Sequence, residues 1–153
     1  MNENSFNLND FQLLDKIGEG SYGKVYKIKD RTTKIIYAAK KSNKELDDSD
    51  EVSIDIYQEV SILSQLNHPS VLKFIGYSPI NFKQKNKPVI ITEYVKNGSL
   101  KDLLKEQSNP KSIVNWNGTL KLIMLYGIAN AMAYLHQHKI IIQTSNKLKK
   151  KII

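Results

Sequence analysis

The sequence predicts an α+β fold in which five β-strands and one helix come first and further helices follow. Five short segments rich in β-branched and aromatic residues lie within the first 95 residues, separated by turn residues or polar loops. Two longer segments, 52–66 and 120–138, instead carry apolar residues at helical spacing. With 41% hydrophobic and 25% charged residues, the chain has the composition of a globular protein.

The first two strands enclose a glycine-rich turn. The apolar run 11–17 precedes glycines 18, 20 and 23, and residues 24–29 form a second strand-like segment. Glycines at this spacing allow a backbone to lie close over a ligand, and amide N–H groups without neighbouring side chains bind phosphate. A dinucleotide-binding turn is the alternative, but it needs a helix directly after the last glycine. The strand that follows here disfavours it.

The third strand, residues 35–41, carries a lysine suited to bind phosphate. Side chains two positions apart share one face of a strand, so Ala38 and Lys40 point the same way. A small side chain that leaves room for a base, followed by an amine, suits a nucleotide. Lys41 is the alternative amine, in the other register.

The helix predicted over 52–66 follows the acidic linker 45–51. Ile56, Val60 and Leu63 fall on one side of this helix and predict its buried stripe. Glu59 lies close to that stripe. From the pattern alone, Glu59 is explained equally well as a surface carboxylate beside the core and as a functional residue.

Two further strands are predicted over 71–76 and 89–95. Ser99 and Asp102 then have the spacing of a capping box at the start of a short helix. Thr119 is the predicted N-cap of the long helix at 120–138.

In this order, the motifs resemble the N-terminal part of a eukaryotic protein kinase domain, from about Phe11 to Ile141. The three glycines match the family's glycine-rich loop, Tyr37-Ala38-Ala39-Lys40 matches its third-strand motif, and Glu59 matches its helix-C glutamate. The resemblance implies a five-stranded antiparallel N-lobe sheet with helix C, followed by the first helices, αD and αE, of an incomplete C-lobe. Some motifs look more like the tyrosine-kinase-like branch than other serine/threonine-type kinases.

The resemblance also implies domain boundaries. Residues 1–10 would be a polar extension and 11–95 the N-lobe. Residues 96–141 would hold the hinge, αD and αE, and 142–153 would be a divergent lysine-rich tail.

The same resemblance implies that the chain binds ATP. Lys40 would hold the α and β phosphates and Glu59 would pair with Lys40. Thr92 falls at the family's gatekeeper, and Glu93 to Val95 at the hinge, whose backbone bonds the adenine edge. The residues expected around the nucleotide are Ile17, Gly18, Gly20, Ser21, Tyr22, Gly23, Val25, Ala38, Lys40, Thr92, Glu93 and Val95, with Lys41 as the alternative register.

The sequence departs from the family after Ile141. Where a kinase reads His-Arg-Asp, this chain reads Ile142-Gln143-Thr144, so Thr144 stands in the place of the catalytic aspartate. A hydroxyl does not accept the substrate proton at neutral pH, and a general base contributes about 10² to 10⁴ in rate. The family's two magnesium-binding motifs are also missing, so we expect no metal site, although magnesium accompanies ATP in the family.

These departures leave two hypotheses. The first is a truncated protein kinase domain, inactive alone, from an enzyme that transfers the γ-phosphoryl group of ATP. The second is a pseudokinase-like binding module that acts through a partner. The long helix favours a protein partner, because nothing after it in the chain would cover its apolar face. That face comprises Leu120, Ile123, Met124, Ile128, Ala131, Met132 and Leu135.

The net charge of +8 does not indicate a nucleic-acid partner. Four lysines lie in the last seven residues, the other positive charges are scattered, and Arg31 is the only arginine. We also expect no membrane partner, because the sequence shows neither a signal-peptide core nor a run of eighteen apolar residues. The absence of cysteine fits a reducing compartment, so the predicted location is cytoplasmic.

Overall fold

A computed structural model describes residues 6–20, 23–43, 45, 51–107 and 117–140. The chain divides into two compact units, and each is considered by itself. The first unit contains the residues up to Asn67 together with Leu72–Lys96, and the second contains His68–Val71 and the residues from Asn97 onward.

The first unit is the predicted five-stranded antiparallel sheet with one helix. The chain enters it through a short 3-10 helix, Leu8–Asp10, and the strand order across the sheet is β1-β2-β3-β5-β4. Helix α1 connects β3 to β4 and contacts β4. The elements are β1 (Phe11–Gly20), β2 (Gly23–Asp30), β3 (Ile36–Ser42), α1 (Glu51–Gln65), β4 (Phe74–Ser78) and β5 (Val89–Glu93).

Both faces of β5 are buried, which explains its continuous apolar sequence. Val89 and Ile91 belong to the larger core, and Ile90 belongs to a second cluster. Because successive strand residues point to opposite faces, the two clusters lie on opposite sides of the sheet. The larger core comprises Leu8, Phe11, Ile28, Ala39, Val89 and Ile91, and the second cluster comprises Val60, Tyr77 and Ile90. Val60 therefore places α1 on the face to which Ile90 points.

The fourth strand begins three residues later than the sequence predicts. Val71 is not in a strand but donates from its backbone N–H to the carbonyl oxygen of His68, over 2.9 Å. The Val71 N–H is thereby bonded within the turn that follows His68-Pro69, and strand pairing is recorded from Phe74 onward. The fifth strand also ends at Glu93 rather than at Val95.

The second unit contains helices α2 (Leu100–Gln107) and α3 (Gly118–Gln137). The capping box of α2 is confirmed, because Ser99 Oγ lies 2.6 Å from Asp102 Oδ2 and the Asp102 N–H donates to Ser99 Oγ over 3.3 Å. For α3 the predicted cap was wrong. Asn117, not Thr119, is the N-cap, and its Oδ1 accepts from the Leu120 N–H over 2.9 Å.

Much of α3 is exposed. Of its described residues only Leu135 is buried, whereas Leu122, Ile123, Leu125, Tyr126 and Ile128 are each more than half exposed. Five residues of the predicted stripe line an open apolar groove together with Ser70, Val71 and Gly127. They are Met124, Ile128, Ala131, Met132 and Leu135. By length and composition alone α3 also qualifies as a membrane span, a criterion that core helices of other proteins meet as well.

Candidate functional site

The structure brings together the lysine of β3 and the glutamate of α1. Lys40 Nζ lies 3.1 Å from Glu59 Oε1, and the two side chains are 39% and 29% exposed. A charge-assisted hydrogen bond between partly buried groups is stronger than one between neutral groups. It holds the ammonium group of Lys40 on the α1 side of the sheet.

Strand register explains why Lys40, and not its neighbour, meets Glu59. Lys40 lies between Val25 of β2 and Ile90 of β5, its partners in adjacent strands. Residues opposite each other in antiparallel strands point to the same face, so this row faces α1. Lys41 points to the other face, where it lines a separate hollow. The pairing with Glu59 therefore belongs to Lys40, the preferred of the two predicted registers.

A second row on the same face contains Lys27, Ala38 and Thr92, which are paired across β2, β3 and β5. Ala38, two residues before Lys40, places only a methyl group between Lys27 and Thr92 in this row. The sheet thus presents a small side chain and an ammonium group on one face. These are the two features that the sequence suggested for a nucleotide.

The three glycines of the β1–β2 turn meet different surroundings. A Cβ atom added to Gly23 would lie 2.1 Å from the backbone oxygen of Lys41, so the fold itself requires glycine there. A Cβ added to Gly18 would meet only Val25, at an ordinary 3.6 Å, and one added to Gly20 would meet nothing within 4 Å. The described residues therefore give no packing reason for glycine at 18 and 20. Ser21 and Tyr22 lie outside the described residues.

The end of β5 is hydrogen-bonded to Lys73, the residue that precedes β4. The Glu93 carboxylate accepts from the backbone N–H of Lys73 over 2.8 Å, and the Glu93 N–H donates to the Lys73 carbonyl over 3.0 Å. The Glu93 side chain is thereby engaged within the sheet, while Val95 is 52% exposed. Sequence reasoning missed this contact because its partner is a backbone group, which leaves no signature in the side-chain pattern.

A cation–π contact, also missed from the sequence, lies beside this segment. Lys27 Nζ is 5.0 Å from the centroid of the Tyr94 ring. It attaches the residue after β5 to β2, the strand that also carries Val25.

Thr144, the residue predicted in place of the catalytic aspartate, lies outside the described residues.

The comparisons with known proteins decide the family. A model of the protein kinase domain matches residues 11–144. The chain belongs to the protein kinase family. It is 34% identical over 137 residues to an Aurora kinase of Saccharomyces cerevisiae, an alignment that covers 90% of this chain and 35% of the relative.

Two further relatives agree with this kinase assignment. The human serine/threonine-protein kinase TNNI3K is 37% identical over 130 residues, which cover 84% of this chain and 14% of the relative. LIM domain kinase 1 of Drosophila melanogaster is 33% identical over 143 residues, which cover 94% of this chain and 10% of the relative. The chain thus spans about a third or less of the length of each of these kinases.

Kinases bind ATP together with magnesium, and the two ligands need different groups from the protein. For ATP, the Lys40 ammonium, the small Ala38 and the open surroundings of Gly18 and Gly20 are suitable. For magnesium, the described residues contain no group of three or more His, Cys, Asp or Glu side chains that could hold a metal ion. The sequence also lacks the Asp-Phe-Gly motif from which kinases bind the ion.

Proposed function

We propose that this kinase-family chain binds ATP in its N-lobe, and that its 153 residues alone do not transfer the γ-phosphoryl group. The observation that carries the proposal is the 3.1 Å contact between Lys40 and Glu59. In the family this pair positions the phosphates of ATP. A lysine held by a carboxylate loses less conformational entropy when a phosphate binds, because its long side chain is already ordered.

Each remaining predicted residue then has a role in binding ATP. The backbone around Gly18 and Gly20 would lie over the phosphates, and the lack of side chains at these two positions supports this role because packing does not require glycine at either. Ile17, Val25 and Ala38 would contact the adenine, with Thr92 as gatekeeper. Backbone groups of residues 93–95 would bond the adenine edge. Ser21, Tyr22 and Gly23 complete the glycine-rich loop.

Phosphoryl transfer requires catalytic residues that these 153 residues do not contain. When ATP and magnesium are bound, a complete kinase domain transfers the γ-phosphoryl group of ATP to an acceptor hydroxyl. Here Thr144 stands where the family has its catalytic base. A base contributes about 10² to 10⁴ in rate, and the magnesium-binding motifs are missing as well. We therefore expect no measurable turnover from these 153 residues, and their substrate, if they act within a longer kinase, would be a protein hydroxyl.

A second candidate function is a binding module without catalysis, and the exposed side of α3 favours it. Leu122, Leu125 and Tyr126 are 68%, 63% and 73% exposed. Burying one such side chain contributes about 1.5 to 3 kcal/mol, so a partner that covers several of them would gain considerable affinity. In this reading the nucleotide is bound weakly or not at all, and a protein partner covers α3. Either reading is compatible with a cytoplasmic location, which stays a prediction.

The deciding experiment is thermal unfolding of the purified 153-residue chain with and without ATP and magnesium. ATP at about 100 times its dissociation constant would stabilise the folded state by about 2.7 kcal/mol. We expect this shift for the wild type and for Lys41→Ala, the matched control, and its loss in Lys40→Ala. A cooperative transition with no shift in the wild type would contradict ATP binding and favour the binding module. Incorporation of phosphate into a protein substrate by the chain alone would contradict the predicted inactivity.

A further inference from the structure

A cluster of lysines lies on the face of the sheet opposite Glu59. Lys41 of β3 is the direct cross-strand partner of Lys24 of β2. Like charges directly opposite each other destabilise a sheet. Lys83, Lys85 and Lys87 follow at alternate positions in the loop between β4 and β5.

The loop that carries these three lysines is held in place from within. Asn81 is buried, and its Oδ1 accepts from the backbone N–H of Lys83 over 2.7 Å and from that of Lys85 over 3.4 Å. The Asn81 N–H donates to the Lys85 carbonyl over 2.9 Å. The loop is therefore folded around one buried amide, so the backbone that carries the lysines is fixed before any ligand arrives.

Only Glu19 and Glu45, among the acidic side chains that the structure describes, form ion pairs with lysines of this cluster. Glu19 lies 3.5 Å from Lys24 but is closer, at 2.8 Å, to Lys16. Glu45 lies 3.6 Å from Lys87 and is itself 61% exposed. Within the described residues, Lys41, Lys83 and Lys85 make no ion pair with a carboxylate. Among the described residues, positive charge is therefore in excess around Lys41.

Lys41 shows the effect of this surplus. Burial lowers the pKa of the Lys41 ammonium, and repulsion from Lys87, Lys83, Lys24 and Lys85 lowers it further. A nearby anion would relieve both effects, because it replaces lost water and offsets the like charges.

A small hollow lies next to Lys41 and could hold part of a ligand that binds the lysines. Its volume is about 70 Å³, and it is lined by Leu13, Tyr26, Lys41, Asn81, Phe82 and Lys83. Its walls are mainly apolar, from β1, β2 and the β4–β5 loop, with the lysines beside them. A ligand that fits therefore combines negative charge with one apolar group, which is more than a simple inorganic anion offers.

We propose that this lysine cluster and its hollow bind an acidic segment of a partner protein, which inserts one apolar side chain beside Lys41. Charge complementarity would steer the segment to the lysines and the hollow would set its register. The surface lies on the opposite face of the sheet from Lys40, so it is independent of the proposed ATP site.

A fluorescein-labelled peptide, Glu-Asp-Glu-Leu-Glu-Asp-Glu, tests this proposal by fluorescence anisotropy with the 153-residue chain. We expect saturable binding that weakens as salt rises. Lys41→Met and Lys83→Met should each weaken it by about threefold to tenfold, since each removes one charge-assisted contact. Replacing the leucine of the peptide with serine should weaken it as well. Lys40→Met should leave it unchanged even if it abolishes ATP binding.

The basic tail supplies the matched control. A variant with Lys149, Lys150 and Lys151 replaced by Gln should bind the peptide as the wild type does. Loss of binding in that variant, or equal binding of an amidated peptide with Gln and Asn in place of Glu and Asp, would overturn the proposal. Binding seen only after Asp47, Asp48 and Asp50 are replaced by Asn would also overturn it, because the chain's own acidic linker would then compete for the surface.

Two measurements keep the outcome interpretable. Lys41→Met should unfold at the same temperature as the wild type or higher, because it removes the repulsion from Lys24. If Lys41→Met unfolds at a lower temperature than the wild type, its weaker peptide binding has a structural cause. Peptide binding by Lys83→Met, which changes an exposed loop side chain, then decides the test. Lys41-dependent binding to phosphatidylserine vesicles without binding to the peptide would overturn the proposal in favour of a membrane surface.

Discussion

Lys40 of β3 and Ile90 of β5 are paired across the sheet, and this pairing decides which of two adjacent lysines meets Glu59. Ile90 packs with Val60 of α1, so the face it shares with Lys40 is the face that α1 covers. Lys41, paired with Val89, points the other way. The two consecutive lysines therefore lie on opposite faces of the sheet, Lys40 at the proposed phosphate site and Lys41 at the proposed peptide site.

A double-mutant cycle on Lys40 and Glu59 should show that the two residues act together in ATP binding. Lys40→Met removes the ammonium group, and Glu59→Gln leaves it without its carboxylate partner. Each single variant should weaken ATP binding, and the double variant should be little worse than Lys40→Met alone. The readout is the ATP-induced shift in unfolding temperature. Additive losses would mean that Glu59 does not act through Lys40.

The glycines of the β1–β2 turn should separate into one required for folding and one required for binding. Gly23→Ala places a Cβ 2.1 Å from the Lys41 carbonyl, so β2 and β3 must shift, and overpacking of this kind costs about 1 to 3 kcal/mol. Chemical denaturation of the variant measures this loss.

Gly20→Ala is the matched control, because its Cβ meets nothing within 4 Å. We expect its free energy of unfolding to change by less than about 1 kcal/mol. ATP binding should nevertheless weaken if a nucleotide lies beneath the loop. A Gly20→Ala variant that binds ATP normally would contradict the proposed position of the phosphates.

The sequence predicted the fold well because the strands and helices of this chain have clear local signals. Alternation around Ala38 and Lys40 identified the face of β3, and Ser99 with Asp102 identified the start of α2. The contacts of Glu93 and of Asn81 were not predictable, since their partners are backbone groups brought close only by the folded sheet. Thr119 was mistaken for a cap because Asn117, two residues earlier, has the same capacity to accept a hydrogen bond.

The turn between β2 and β3 should make stability depend on acid. The Asp30 carboxylate accepts from the Thr33 N–H over 2.7 Å and from the Thr32 N–H over 2.8 Å. The Thr33 bond, aided by the Thr32 bond, holds the pKa of Asp30 below its ordinary value. A lowered folded-state pKa contributes stability above the unfolded pKa of about 3.9, and this stability is lost as the pH falls through the folded value.

Asp30→Asn tests this pH dependence, because the amide oxygen still accepts hydrogen bonds but does not titrate. We expect the variant to lose less stability than the wild type between about pH 5 and pH 2. The measurement is urea unfolding at several pH values. Asp102→Asn is the corresponding variant at a second site. There, hydrogen bonds from the Ser99 hydroxyl and N–H lower the pKa of the Asp102 carboxyl, so the same direction of effect is expected. Identical acid profiles for Asp30→Asn and the wild type would show that the titration of Asp30 does not contribute to the loss of stability in acid.

The start of α3 should depend on Asn117 and not on Thr119. The Oδ1 atom of Asn117 satisfies the Leu120 N–H, one of the amide groups that lack a partner within the helix. Asn117→Ala should therefore cost about 1 kcal/mol of stability, whereas Asn117→Ser should restore most of it because serine caps helices equally well. Thr119→Ala is the matched control and should change stability by a few tenths of a kcal/mol, since alanine favours the helix interior. Chemical denaturation of the three variants decides the point, and a larger loss in Thr119→Ala would return the cap to the position that the sequence suggested.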